Sequence, residues 1–194
     1  MLNKSSLRKN FRSSRRAINQ KQRADLECKI ISEIQILHSK KTWKVIASYS
    51  AQDGEPNITA WHASAIERGS LILLPRVKGN RQMGFHPYQG ENELELGKYG
   101  ITEPKANSEE IAKEKIDCFL VPLVSYDKQG NRLGMGGGYY DTYLSDYKQA
   151  NRPFLLGVAF SSQFSSERLP TVKTDIKLDG VVNEKGFFCF NHTR

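Results

Sequence analysis

Cysteine is scarce in this chain, and what there is does not pair: Cys28, Cys118 and Cys189 are odd in number and far apart. No C-x-x-C pair occurs, so neither a disulfide framework nor a zinc site is indicated, and a reducing cytoplasm is the expected compartment. Long apolar runs are missing too. Nothing approaches the roughly 18 to 20 residues that cross a bilayer, and the opening M-L-N-K-S-S-L-R-K-N-F-R lacks an apolar secretory core. Neither a membrane partner nor export is expected. Acidic residues number 21 against 29 basic ones, leaving a net charge of +8 that turns attention to polyanions and phosphate-bearing substrates. Nucleic acid is the first such partner to weigh, because Lys4, Arg8, Lys9, Arg12, Arg15, Arg16, Lys21 and Arg23 crowd the beginning. Yet no helix-turn-helix, zinc finger or RNP-type aromatic motif accompanies them, so no nucleic-acid partner is expected.

What is present describes one sizeable core. The 194 residues, 38% hydrophobic and 26% charged, are expected to form a single unit over 1–194, with N-terminal helices over about 1–40 packed on the rest. A first helix is expected from Ser5 or Ser6, with Leu7, Phe11 and Ile18 on its apolar stripe. Lys4 and Arg8 would share its basic face, which ordinarily stays solvated. A second helix is expected from about Lys21 to His38. Short apolar runs at 45–49, 70–75, 118–124 and 155–160 read as buried strands, with Gly180–Val182 and Gly186–Phe190 as later ones, and Met83–Tyr88 as an edge strand because Pro87 cannot donate to a ladder. The segment 96–104 reads as a loop. Strands alternating with helices predict a three-layer α/β fold with a mainly parallel sheet, whose ligands bind beyond the strands' carboxyl ends. That rim would gather the Glu55 loop, the glycine stretch and the Asp175 loop. Glu55 itself is either a ligand contact or a solvated turn residue, and its own segment favours the latter.

The densest signal is D-K-Q-G-N-R-L-G-M-G-G-G-Y-Y-D at 127–141. Gly134, Gly136, Gly137 and Gly138 stand between an apolar run and a Tyr-rich segment of helical spacing. Such a corner lets amide N–H groups crowd toward an anion, with the following helix adding its own unpaired donors. It is neither a Walker A loop nor a G-x-G-x-x-G fingerprint. Arg132 before it, and Tyr139, Tyr140 and Asp141 after it, exceed what a plain connector needs.

With K-S-S-L-R-K-N-F-R, D-G-E at 53–55, L-P-R at 74–76, G-I-T-E-P at 100–104 and the glycine block, the chain resembles the 5-formyltetrahydrofolate cyclo-ligase family over nearly its full length. The resemblance implies a fold similar to the sugar-phosphate isomerase/CoA-transferase-like group, and conversion of 5-formyltetrahydrofolate to 5,10-methenyltetrahydrofolate with ATP and Mg2+. It implies a reduced folate as the substrate, and a monomer is expected. Lys4, Arg8 and the loop Arg132, Leu133, Gly134, Met135, Gly136, Gly137, Gly138, Tyr139 and Tyr140 are then the nucleotide residues, with Arg132 and Tyr140 catalytic. Glu55, Tyr139 and Tyr140 would meet the folate, and Asp141 and Asp175 the metal. Thr142 stands where many relatives carry arginine, leaving one phosphate-side cation missing or supplied elsewhere, for example by Arg76. Met135 and Gly137 stand where relatives of other lineages carry basic residues. No side-chain nucleophile is needed for such chemistry, and Cys118 reads as core.

Overall fold

The computed structural model describes residues 3–147 and 152–190, so the outermost residues of the expected single unit lie outside the described residues. Helix α1 (Lys4–Arg16) begins one or two residues earlier than the serines suggest, because Asn3 supplies the cap by accepting from the Ser5 N–H at 2.9 Å. Helix α2 (Gln20–Ser39) is capped in the same way by Asn19. Then follow β1 (Val45–Ala47), α3 (Thr59–Glu67), β2 (Leu71–Gly79) and β3 (Gln82–Pro87). Next come β4 (Leu94–Leu96), β5 (Thr102–Pro104), β6 (Cys118–Pro122), β7 (Ser125–Asp127), β8 (Arg132–Leu133) and α4 (Tyr139–Leu144). The remainder is β9 (Phe154–Val158), β10 (Phe164–Ser165), β11 (Gly180–Asn183) and β12 (Gly186–Cys189).

Seven strands make the central sheet in the order β12-β11-β9-β6-β1-β2-β3. The five inner strands are parallel, while β3 and β12 join antiparallel at the two edges. Parallel strands are covered on both faces, which explains apolar runs without alternation. In β6, Cys118 and Leu120 face the layer built by Ile30 and Ile34 of α2 and Trp61 of α3. Phe119 and Val121 face the opposite layer, with Phe85 and Leu144. Phe119 meets Phe85 edge-to-face at 5.1 Å and Tyr143 at 5.9 Å.

Two expectations need correction. The segment 96–104 is not a plain loop: β4 and β5 form an antiparallel hairpin whose strands, three residues each, are too short for a period to register. Nor does the third buried strand hand over directly to the glycine stretch. A second hairpin, β7–β8, stands between, held by Asp127, whose carboxylate accepts from the Gln129, Asn131 and Leu169 N–H groups and from the Asn131 side chain. Two further short strands therefore separate core from loop, and β7 also pairs with β10. Phe119→Ala is expected to cost about 3–5 kcal/mol, read from urea unfolding, because it empties the aromatic layer under the loop; a loss below about 1 kcal/mol contradicts this packing.

Candidate active site

The glycine loop rises from β8 and is fixed from below. Leu133 is buried with Leu7, Val124 and Leu169, and its carbonyl accepts from the Val124 N–H at 2.7 Å, so its side chain supports the loop rather than lining a ligand space. Arg8, crossing from α1, donates from Nε to the Gly134 carbonyl at 2.8 Å. Gly136 (φ +101°) and Gly138 (φ +74°) take left-handed backbone that a side chain disfavours, and a Cβ on Gly136 would lie 3.3 Å from the Arg8 guanidinium carbon. Met135, Gly136 and Gly137 are exposed, and the amides of Met135 through Gly138 donate to no acceptor among the described residues. The following helix falls short of expectation. With six residues, α4 adds little dipole, so the loop amides and nearby cations carry the attraction for an anion.

Asp141, one of the two acids expected at the metal, reaches the backbone beside the other, Asp175. Asp141 Oδ1 accepts from Arg132 Nη2 at 2.7 Å and from the Ile176 N–H at 3.1 Å. Its neighbour in space, Asp175, uses Oδ2 for Lys4 Nζ at 2.6 Å and the Val172 N–H at 2.8 Å. Asp175 reaches this place from the stretch between β10 and β11, which leaves a strand of the small three-stranded sheet rather than of the central one. Asp141 Oδ2 and Asp175 Oδ1 have no donor among the described residues, so each carboxylate keeps one hard oxygen available. No cluster of three or more His, Cys, Asp or Glu gathers among the described residues. Two such oxygens fit Mg2+, which takes its other ligands from phosphates and water.

Glu55 is where the bland reading fails. It is buried, accepting from the Gln52 N–H at 3.1 Å with the Arg15 guanidinium 3.8 Å away, and burial raises its pKa from 4.5 to about 7 against those two stabilising partners. Arg15 is buried as well, and the basic face of α1 is only partly solvated: Lys9 and Arg16 stay exposed, but Arg12, Arg15 and Arg16 all bind the Asp53 carboxylate. Tyr140 lies between the two halves of the site. Its hydroxyl is buried with no partner, its ring has Arg132 5.8 Å from its centre, and burial together with the Glu55 charge pushes its pKa far up. Tyr139 shares a 2.9 Å hydrogen bond with Tyr99, at the tip of the β4–β5 hairpin.

Two residues were missed and one was misassigned. Arg76 is no spare cation, since it pairs with Glu95 and donates to the Pro104 carbonyl. Arg81, at the left-handed β2–β3 turn, brings its side chain to the outer side of Gly138 and has no acidic partner among the described residues. It borders a cavity of about 400 Å3 with Thr142, Lys78 and Lys113. Tyr99 had an aromatic ring between two glycines as its only signal. A second cavity, about 430 Å3, is lined by Tyr49, Ser50, His62, Tyr88 and Glu95 beside the Glu55 loop. Behind its wall the buried Ser48 Oγ lies 2.7 Å from His62 Nε2; burial lowers the His62 pKa from 6.5 to about 4, and no carboxylate orients the ring among the described residues. This is a buried hydrogen bond rather than a nucleophile.

An open parallel sheet with a cation-backed glycine loop, a perturbed acid and two half-free carboxylates at one end defines an α/β enzyme suited to a phosphate-bearing ligand. Comparison with known proteins gives the class its family. Residues 1–184 match the 5-formyltetrahydrofolate cyclo-ligase family. The 5-formyltetrahydrofolate cyclo-ligase of Haemophilus influenzae is 34% identical over 139 residues, covering 70% of this chain and 73% of its own. That of Escherichia coli K12 is 28% identical over 177 residues, covering 89% and 95%. The 5,10-methenyltetrahydrofolate synthetase of Aquifex aeolicus superposes with a TM-score of 0.85 at 33% identity, covering 100% of this chain and 95% of that one. For the Mycoplasma pneumoniae synthetase the TM-score is 0.78 at 25% identity, covering 94% and 99%. The chain belongs to the 5-formyltetrahydrofolate cyclo-ligase family, a family of ligases.

The two shifted groups oppose one another in pH. Between about 4.5 and 7 the folded chain keeps a proton on Glu55 that the unfolded chain releases, so Glu55 costs stability as pH rises through that window. His62 does the reverse: the unfolded chain binds a proton below 6.5 that the folded chain refuses until about 4, so stability falls as pH falls. Glu55→Gln is therefore expected to raise the urea midpoint most at about pH 7 to 8 and little near pH 5. Parallel curves for wild type and variant would contradict the buried, raised acid.

Proposed function

We propose that this chain converts 5-formyltetrahydrofolate to 5,10-methenyltetrahydrofolate at the expense of ATP, in the presence of Mg2+, with release of ADP and phosphate. The observation that carries this reading is the glycine loop, whose acceptor-free amides adjoin Arg8, Arg132, Asp141 and the buried Tyr140. In this reading Lys4, Arg8, Arg132 and the amides from Gly134 to Gly138 hold the triphosphate, with Arg81 as a further cation. The pairs Lys4–Asp175 and Arg132–Asp141 are ready for an exchange of partners, cations to phosphate and acids to metal, that leaves no buried charge alone. Mg2+ would be held by Asp141 and Asp175 and supplies neutralisation of phosphate charge.

The reduced folate lies on the other side, against Glu55, Tyr139 and Tyr140. Its formyl oxygen takes the terminal phosphoryl group from ATP, and the O–P bond to ADP breaks. N10 then attacks the formyl carbon and loses its proton, and the C–O bond breaks to release phosphate. These residues bind, align and screen; phosphoryl transfer asks for positioning and charge neutralisation, and no side chain becomes covalently attached. Glu55, half-protonated near pH 7, is suited to receive the N10 proton.

Purified protein given 5-formyltetrahydrofolate and Mg-ATP is expected to develop the near-ultraviolet absorbance of the methenyl product. No product with stoichiometric enzyme removes the reading, and turnover without ATP removes the phosphorylation step. Arg81→Ala is expected to raise the KM for ATP by about tenfold with kcat within about twofold, as for a contact equal in ground and transition states. An unchanged KM would return Arg81 to solvent. Asp141→Asn is expected to lower kcat/KM for Mg-ATP by about 100-fold or more while shifting the melting temperature by only a few degrees, as for a lost interaction of about 2.7 kcal/mol at the reacting phosphates; equal losses in both would make Asp141 structural.

A further inference from the structure

One helix touches both halves of the site. At its first turns α1 sends Lys4 to Asp175 and Arg8 to the Gly134 carbonyl. Two turns on, Arg12, Arg15 and Arg16 meet on Asp53. Arg12 donates to both Asp53 oxygens at 2.7 and 3.2 Å, and Arg15 Nη2 to Oδ2 at 2.9 Å. Arg15 also donates from Nε to the Asp53 carbonyl at 3.1 Å and from Nη1 to the Leu123 carbonyl at 3.0 Å. Leu123 precedes the hairpin that carries the glycine loop, and Arg15 Nη1 stands beside Glu55. Arg23 of α2 closes the arrangement by donating to the Gly54 and Arg15 carbonyls. Asp53 and Gly54 both take positive φ, 50° and 75°.

Three guanidiniums meet on one carboxylate with Arg23 beside them, so charges that would otherwise repel join the turn to the helix through Asp53. A 13-residue helix is a rod of about 20 Å that moves as a unit.

We infer that Asp53 and Arg15 are positioning residues: they fasten the loop bearing Glu55 to α1, so that a triphosphate at Lys4 and Arg8 and a reduced folate beside Glu55 favour one another's binding. This rests on the two-ligand reading above. Neither residue touches a reacting atom; each acts through Glu55 and through the base of the glycine loop.

Asp53→Asn is the informative variant, because asparagine tolerates positive φ, keeps the side chain's shape and removes the charge on which the guanidiniums converge. Calorimetric titration with a non-hydrolysable Mg-ATP analogue and with 5-formyltetrahydrofolate, each alone and in the presence of the other, reads the coupling directly. In wild type each ligand is expected to tighten the other by about 5- to 20-fold, reciprocally. In Asp53→Asn that factor is expected to fall to within about twofold of unity, with affinity for the analogue alone changed by less than about twofold. Arg12→Gln, at a half-exposed position, is expected to lower the factor partway with little change in melting temperature, and it carries the test if Asp53→Asn does not fold. Coupling of wild-type size in both variants overturns the inference. So does equal loss of both single-ligand affinities together with stability, which makes the cluster merely structural. Independent binding of the two ligands by wild type overturns it while leaving the proposed reaction standing; binding of neither overturns both.

Discussion

The structure turns on a guanidinium buried under a loop. Arg15 is fully shielded from water, a state that costs several kcal/mol unless the charge is paired and its donors are met. Asp53 supplies the pair, and the Asp53 and Leu123 carbonyls take two more of its five N–H donors. Burial still lowers the Arg15 pKa despite the nearby Glu55 charge. Each contact is also a topological link, because Asp53 follows β1, Leu123 follows β6, and Arg15 belongs to a helix outside the sheet. One cation thereby sets the relative height of two loops that leave adjacent parallel strands.

The rest of the rim follows the same rule of paired, unequal charges. Glu55 sits beside Arg15 at 3.8 Å, too far for a direct hydrogen bond, so burial prevails and its pKa moves toward neutrality. Lys4–Asp175 and Arg132–Asp141 are close pairs whose acids retain a free oxygen. The glycine loop contributes amides that nothing in the described protein accepts, and its Tyr140 hydroxyl is buried without a partner. The exposed amides stay open to water, whereas the buried hydroxyl costs stability. The rim thus combines groups satisfied within the scaffold with groups that have no partner among the described residues.

Hydrophobic runs carried the sheet into view. The 118–124 and 155–160 segments are buried on both faces, and Pro87 marked an edge strand that is indeed at the edge. The glycine cluster was visible because left-handed backbone at Gly136 and Gly138 leaves a compositional trace. Glu55 and the arginines of α1 were not legible in the same way. A charged side chain on a turn or a basic helix face looks solvated until the partner is known, and the partners, Asp53 for Arg15 and Arg15 for Glu55, stand 38 or more residues away. The β4–β5 hairpin escaped notice because three-residue strands carry no period, and with it went Tyr99 and its bond to Tyr139.

Local chemistry in the chain itself determined the α/β layering, the position of the glycine corner and the kinds of group available to an anion, since period, turn preference and residue type are properties of neighbours in sequence. Tertiary structure alone decided which charges are buried, which acids keep an oxygen free, that Arg81 rather than Arg76 adjoins the loop, and that α1 joins both halves of the rim. Those outcomes depend on desolvation and on distances across the fold, and neither quantity exists before the chain has closed upon itself.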